Sequence, residues 1–177
     1  ACAAVALALP LAVILVAALL AIGATMVGGR APGPTVLADT AAALLPVVYL
    51  GVPIGSLVAS HALFGRQAVL WLLVAVVVSD TAQYFSGRLL GRHKLSPVVS
   101  PKKTVEGALG GFLVTPAAMA LIARWWMPDL GPGWAAVLGV LIVALGVRGD
   151  LFESLLKRSA GVKDSSTLMA GHGGVLD

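Results

Sequence analysis

Long apolar blocks, each near 20 residues and separated by short polar breaks, set the pattern of this chain. Blocks of that length match the roughly 30 Å hydrocarbon core of a bilayer, and they predict about five membrane-spanning helices. The first covers Val5 to Val27 and ends at the Gly/Pro turn "GGRAPGP". The second covers Val36 to Phe64, where Pro46 and Pro53 predict a kink or a split into half-helices. After the short loop "GRQ", the third runs from Ala68 to Leu90. The polar loop "GRHKLSPVVSPKKTVEG" precedes the fourth, Ala108 to Trp126. The turn "MPDLGPG" leads into the fifth, Trp134 to Arg158. The expected fold is therefore all-α, a polytopic helical bundle forming one membrane-embedded domain over residues 1–177. Trp71, Trp125, Trp126 and Trp134 fall near predicted span ends, where interfacial anchors belong.

Composition supports lipid as the medium. Hydrophobic residues make up 59% of the chain and charged residues 11%, against about 25% charged in a soluble domain. Mean hydropathy is +0.98. The net charge of +4 suits anionic headgroups or phosphates. Cys2 is the single cysteine, so an intrachain disulfide is excluded. The chain opens without Met and stops inside a motif, so it is expected to be truncated at both ends.

The cations divide unevenly. One set of loops and ends carries Arg30, Arg88, Arg92, Lys94, Lys102, Lys103, Lys157, Arg158 and Lys163; the other carries Arg66 and Arg124. The positive-inside rule places the loop after the third span and the C-terminal segment in the cytoplasm.

Two carboxylates interrupt apolar runs. Asp80 follows "LLVAVVV", and helical spacing sets it on one face with Gln83, Tyr84 and Arg88. Asp150 follows "VLIVALGVRG" and shares a face with Glu153, Ser154 and Lys157. A carboxylate at that depth must face protein, water or a cation. The structural reading pairs Asp80 and Asp150 with Arg148 or Arg88; the functional reading makes them part of a site.

"SPKKTVEG" (Ser100 to Gly107) offers the point charges of Lys102 and Lys103, with Thr104 placed to cap the next helix. The final segment, "SLLKRSAGVKDSSTLMAGHGGVLD", crowds Lys157, Arg158 and Lys163 near Asp164, and its glycines allow close backbone approach to a phosphate. Cations for phosphate oxygens and carboxylates for a divalent metal are the parts nucleotide chemistry needs. His172 has no neighbouring Cys or His, so no zinc site is expected.

That final segment resembles the signature of the phosphatidate cytidylyltransferase (CDP-diacylglycerol synthase) family. Ser154, Leu156, Lys157, Arg158, Lys163, Asp164, Ser166, His172, Gly173, Gly174 and Asp177 fall in register with it. "SDTAQYFSGRLLGRHKLSPVVSPKKTVEG" is similar to two further blocks of the family, so the resemblance covers Ala68 to Asp177, with its signature in residues 150–177. Met169, Ala170 and Val105 depart from the usual residues, affecting packing more than charge. The family pattern continues past Asp177 with Arg-x-Asp.

The resemblance implies that CTP and phosphatidate react to CDP-diacylglycerol and pyrophosphate, a step of phospholipid biosynthesis. It implies a paired Mg²⁺ and K⁺ site with Asp80, Asp150, Asp164 and Asp177 as candidate ligands. Asp164, Lys157, Asp150 and Asp177 are the catalytic candidates. Lys102, Lys103, Lys157, Arg158, Lys163, His172, Gly173 and Gly174 are the substrate-binding candidates. The expected partners are CTP, phosphatidate and membrane lipids, with no nucleic acid, and a homodimer is compatible with this reading. The expected location is a bacterial inner membrane, with the site on its cytoplasmic face. Two other readings are a CTP-dependent lipid-alcohol kinase and a non-enzymatic membrane transporter or scaffold.

Overall fold

The computed structural model describes residues 11–29 and 33–162. The chain forms two compact units, Ala1–Leu70 and Trp71–Asp177.

In the first unit, helix α1 (Leu11–Gly29) is followed by α2 (Val36–Pro46), a π-helical turn (Val47–Gly51) and the start of α3 (Val52–Leu90). A π-turn lies between Pro46 and Pro53, two residues with no N–H to donate, and in it the Val52 N–H bonds to the Val47 carbonyl. The expected interruption at Pro46 is thus a π-turn within a helical stretch. The expected loop "GRQ" reduces to one residue, Gly65, whose φ of 77° and ψ of 176° are non-helical. That backbone conformation is open to glycine at little cost. As a result the second and third predicted spans form one helical stretch, Val36–Leu90, broken at Gly65. The described residues hold four helical stretches long and apolar enough to cross a membrane, where the sequence pattern counts about five: Ala12–Gly29, Val36–Leu90, Val105–Trp126 and Pro132–Ser159. This is an integral membrane protein.

In the second unit, α3 residues 71–90 lead into a small antiparallel hairpin, β1 (Lys94–Ser96) with β2 (Ser100–Thr104). Helix α4 (Val105–Trp126), a 3₁₀ turn (Pro128–Leu130) and α5 (Pro132–Ser159) complete it. The structure is otherwise all-helical, as expected, and the hairpin is a short ribbon inside the polar loop 91–107. Lys94 pairs with Thr104 and Ser96 with Ser100, and the Val105 N–H extends the pairing to the His93 carbonyl at 2.9 Å. A two-stranded ribbon tolerates Pro101 because both its strands are edges.

Thr104 ends the hairpin and begins α4. Its backbone is extended (φ −123°, ψ 153°), and its hydroxyl accepts the Gly107 N–H at 3.1 Å, the expected N-cap. At the far end Met127 precedes Pro128, which disfavours continued helix. Gly131, at φ 70°, redirects the chain, and Pro132 opens α5 from a position where its missing N–H costs nothing.

Small residues set the helix spacing. A Cβ on Gly139 of α5 would stand 2.8 Å from the Pro116 Cα of α4, and one on Gly107 would stand 2.8 Å from the Gln83 carbonyl oxygen of α3. Such contacts let backbones approach closely, as membrane helix packing requires. The core gathers Trp71, Ala75, Met119, Ala123 and Ala135. Trp71 is therefore 4% exposed inside the protein and is no interfacial anchor, whereas Trp125, Trp126 and Trp134 are exposed. Leu109, Leu113 and Leu145 face outward, as residues in contact with acyl chains do.

Candidate functional site

The site is built where α3, the hairpin, α4 and α5 of the second unit meet. Residues 80, 83, 84, 87 and 88 recur at three- and four-residue steps and so present one face of α3. That face lines a cavity of about 390 Å³, within the range of small-molecule sites. The hairpin contributes Leu95, Lys102, Lys103 and Thr104, α4 contributes Gly107 and Ala108, and α5 contributes Asp150.

Glycine explains how the walls come so close. A Cβ on Gly87 would lie 2.8 Å from the Thr104 hydroxyl and 3.5 Å from the Gly107 Cα, so α3 and α4 meet there at backbone distance. Thr104 is almost fully buried at this seam. Beside it, Gln83 donates to the Ser79 hydroxyl at 2.9 Å, with Ser79 buried.

The charges sort along the cavity. Asp80, Asp150 and Lys103 share its wall, and Lys103 forms an ion pair with Asp150. This corrects the structural reading of the two carboxylates, in which Arg148 or Arg88 was their partner. The hairpin lies across the helices and brings a lysine to Asp150 that is 47 positions away in the chain. Asp80 has no ion pair among the described residues. Arg88 instead donates to the Tyr84 hydroxyl at 2.7 Å, and its guanidinium carbon lies 5.9 Å from that ring's centroid. Tyr84 meets Phe85 edge to face at 5.3 Å.

Of the residues proposed from sequence, Asp80, Asp150, Lys102 and Lys103 come together in this cavity. Lys157 and Arg158 occupy the last turn of α5, outside the cavity lining, and Lys157 pairs with Glu153 at 3.0 Å along the helix. Lys163, Asp164, His172, Gly173, Gly174 and Asp177 lie outside the described residues. Gln83, Tyr84, Arg88, Thr104 and Gly107 line the cavity but were not singled out as site residues. The signal for the first three is the helical spacing from Asp80. For Thr104 and Gly107 only the packing reveals it.

The donor set can be judged against a divalent cation. Among the described residues no three His, Cys, Asp or Glu side chains converge. Two carboxylates do share the cavity, and both are exposed to it. A Mg²⁺-type ion is usually held by one or two carboxylates, with phosphate oxygens and waters completing six positions. Asp80 and Asp150 fit that arrangement.

Membrane-length helices whose ends enclose carboxylates and lysines define an integral membrane protein with a cavity that carries Asp80, Asp150, Lys102 and Lys103 on its wall. The whole chain, residues 1–177, matches the Cytidylyltransferase family, and the chain belongs to that family. It is 43% identical over 137 residues to a phosphatidate cytidylyltransferase of Helicobacter pylori, covering 76% of this chain and 50% of that protein. A phosphatidate cytidylyltransferase of Staphylococcus saprophyticus is 37% identical over 147 residues, covering 78% and 53%. One from Haemophilus influenzae is 44% identical over 122 residues, covering 66% and 41%. The chain spans about half the length of the curated relatives it matches.

Proposed function

We propose that this protein transfers a cytidylyl group from CTP to phosphatidate, giving CDP-diacylglycerol and pyrophosphate. Family membership and the names of the relatives support the reading. The observation that carries it is the joining of Asp80, Asp150, Lys102 and Lys103 in one cavity. A phosphate oxygen of phosphatidate attacks the α-phosphorus of CTP, the bond from that phosphorus to the bridging oxygen breaks, and pyrophosphate leaves. The nucleophile is already an anion, so no side chain need remove its proton. The difficulty is to gather several negative groups, and the lysines answer it: Lys102 and Lys103 hold phosphate oxygens by charge-assisted hydrogen bonds. Lys157 and Arg158 add positive charge at the end of α5; Lys163, His172, Gly173 and Gly174, which lie outside the described residues, are assigned to nucleotide binding by the family signature alone. Asp80 and Asp150 would hold Mg²⁺; Asp164 and Asp177, outside the described residues, are further candidate ligands, and K⁺ is the second cation of this reading. The metal supplies charge neutralisation of the reacting phosphates.

The reading includes about five membrane crossings, because Val36–Leu90 has 55 residues. At 1.5 Å per residue a helix of that length measures about 80 Å, against about 30 Å of hydrocarbon. It also places the hairpin on the cytoplasmic side of a bacterial membrane, by the excess of lysine and arginine there.

The test is product analysis with radiolabelled CTP and phosphatidate in mixed micelles, using the full-length protein. Labelled CDP-diacylglycerol and pyrophosphate are expected. Phosphorylation of a lipid alcohol with release of CDP, and no product from phosphatidate, would overturn the proposal in favour of a lipid kinase.

A further inference from the structure

Arg88 is a cation that the carboxylate and lysine cluster leaves unused. No carboxylate among the described residues pairs with it. Its guanidinium is held over the Tyr84 ring and bonded to the Tyr84 hydroxyl, so its position is fixed without its charge being neutralised. It lines the same cavity as Asp80. Eight residues separate the two on one helix, so Arg88 stands about 12 Å further along the axis.

What borders Arg88 distinguishes it from the lysines. One side of its helical column is the packed seam, where Gly87 meets Thr104 and Gly107. The next column on the other side is Phe85 and Leu89, four residues apart, 54% and 78% exposed. Arg88 is thus placed where the cavity meets an apolar outer face, two residues before α3 ends at Leu90. A ligand reaching it from that side carries its anion into the cavity and its apolar part along Phe85 and Leu89. That is the shape of a lipid with a phosphate head. Lys102 and Lys103 reach the cavity from the hairpin, an approach suited to a soluble ligand.

We propose that Arg88, oriented by Tyr84, binds the terminal phosphate of the lipid substrate. A phosphomonoester presents two or three oxygens to one guanidinium fork, which binds it at two points where a lysine would bind at one. Tyr84 is a positioning residue that acts through Arg88. The assignment rests on the function proposed above and adds to it the identity of the lipid phosphate's receptor.

The experiment compares the full-length wild type with Arg88→Gln, Arg88→Lys and Tyr84→Phe in mixed micelles, varying phosphatidate mole fraction and CTP separately. Arg88→Gln is expected to raise the KM for phosphatidate by about tenfold or more, the scale of losing one charged two-point contact. The KM for CTP should move less than about twofold, since RT ln 2 is a fraction of one hydrogen bond. Arg88→Lys should fall between, and Tyr84→Phe should shift the same KM by a smaller factor. A rise in the KM for CTP with that for phosphatidate unmoved overturns the assignment, as does a change in neither. A second readout is independent of turnover: phosphatidate without CTP should raise the unfolding temperature of the wild type relative to phosphatidylcholine, and Arg88→Gln should lose that increment. If the wild type makes no CDP-diacylglycerol yet shows the increment and Arg88→Gln loses it, the reaction assignment fails and the lipid-phosphate site stands. If the wild type turns over normally and the increment is the same in both, the site assignment fails alone.

Discussion

Glu106 grips His93 at two points. Its carboxylate oxygens lie 3.2 Å from the His93 backbone nitrogen, whose N–H they accept, and Oε1 stands 2.6 Å from the imidazole Nδ1. A carboxylate only accepts, so Nδ1 carries the proton of this contact. Glu106 is in the first turn of α4 and His93 directly precedes β1. The pair therefore fastens the open end of the hairpin to the helix that Thr104 caps, and so fixes the strand bearing Lys102 and Lys103. Glu106→Ala is expected to speed amide exchange across residues 94–104 several-fold and to raise the KM for CTP. Glu106→Gln, which keeps one acceptor, should do so less. Hydrogen exchange read by mass spectrometry checks this, and unchanged exchange in Glu106→Ala would show that the grip is incidental.

Asp80 and Asp150 differ in their surroundings, since Asp150 already pairs with Lys103. Replacing either carboxylate by its amide removes a charge without changing shape. In the full-length protein Asp80→Asn and Asp150→Asn are each expected to raise the Mg²⁺ concentration for half-maximal turnover by about tenfold or more, equivalent to about 1.4 kcal/mol. A Mg²⁺ titration at matched folded amounts decides it. Midpoints equal to that of the wild type would remove these residues from the metal site.

Thr104→Ala should cost about 1 kcal/mol through the lost cap, while Thr104→Ser, which keeps the hydroxyl, should cost less. Thermal unfolding in detergent measures the difference. Equal losses for both variants would mean that the methyl group's packing, and not the cap, is what matters.

Gly107→Ala and Gly139→Ala each drive a methyl into backbone atoms 2.8 Å away, the Gln83 oxygen and the Pro116 Cα. Backbone yields little, so each should destabilise by about 1–3 kcal/mol. Gly146→Ala is the contrast: nothing lies within 4 Å of its added Cβ. There the gain in helix propensity, up to about 1 kcal/mol, should leave the protein at least as stable. The ranking of the three unfolding temperatures is the test.

The apolar blocks alone determined that the chain is built of membrane-length helices, because the hydrocarbon thickness fixes how many residues a crossing takes. Local chemistry determined the Thr104 cap and the α4 boundary near Pro128, since both depend on residues within one turn. The shared face of Asp80, Gln83, Tyr84 and Arg88 was legible for the same reason: helical periodicity is a local rule. Other features required the tertiary structure. That Lys103 and not an arginine meets Asp150 depends on a hairpin folding back over helix ends, and the two residues are joined by no sequence period. That Trp71 is core, while Trp125, Trp126 and Trp134 face outward, depends on which helix side meets Met119 and Ala123. That Val36–Leu90 is helical through Pro46 and broken at Gly65 was decided by where the backbone could widen or turn at least cost. Periodicity and capping act over a few residues and can be read directly. Which faces come into contact is set by packing summed over distant segments, and only the folded chain expresses that sum.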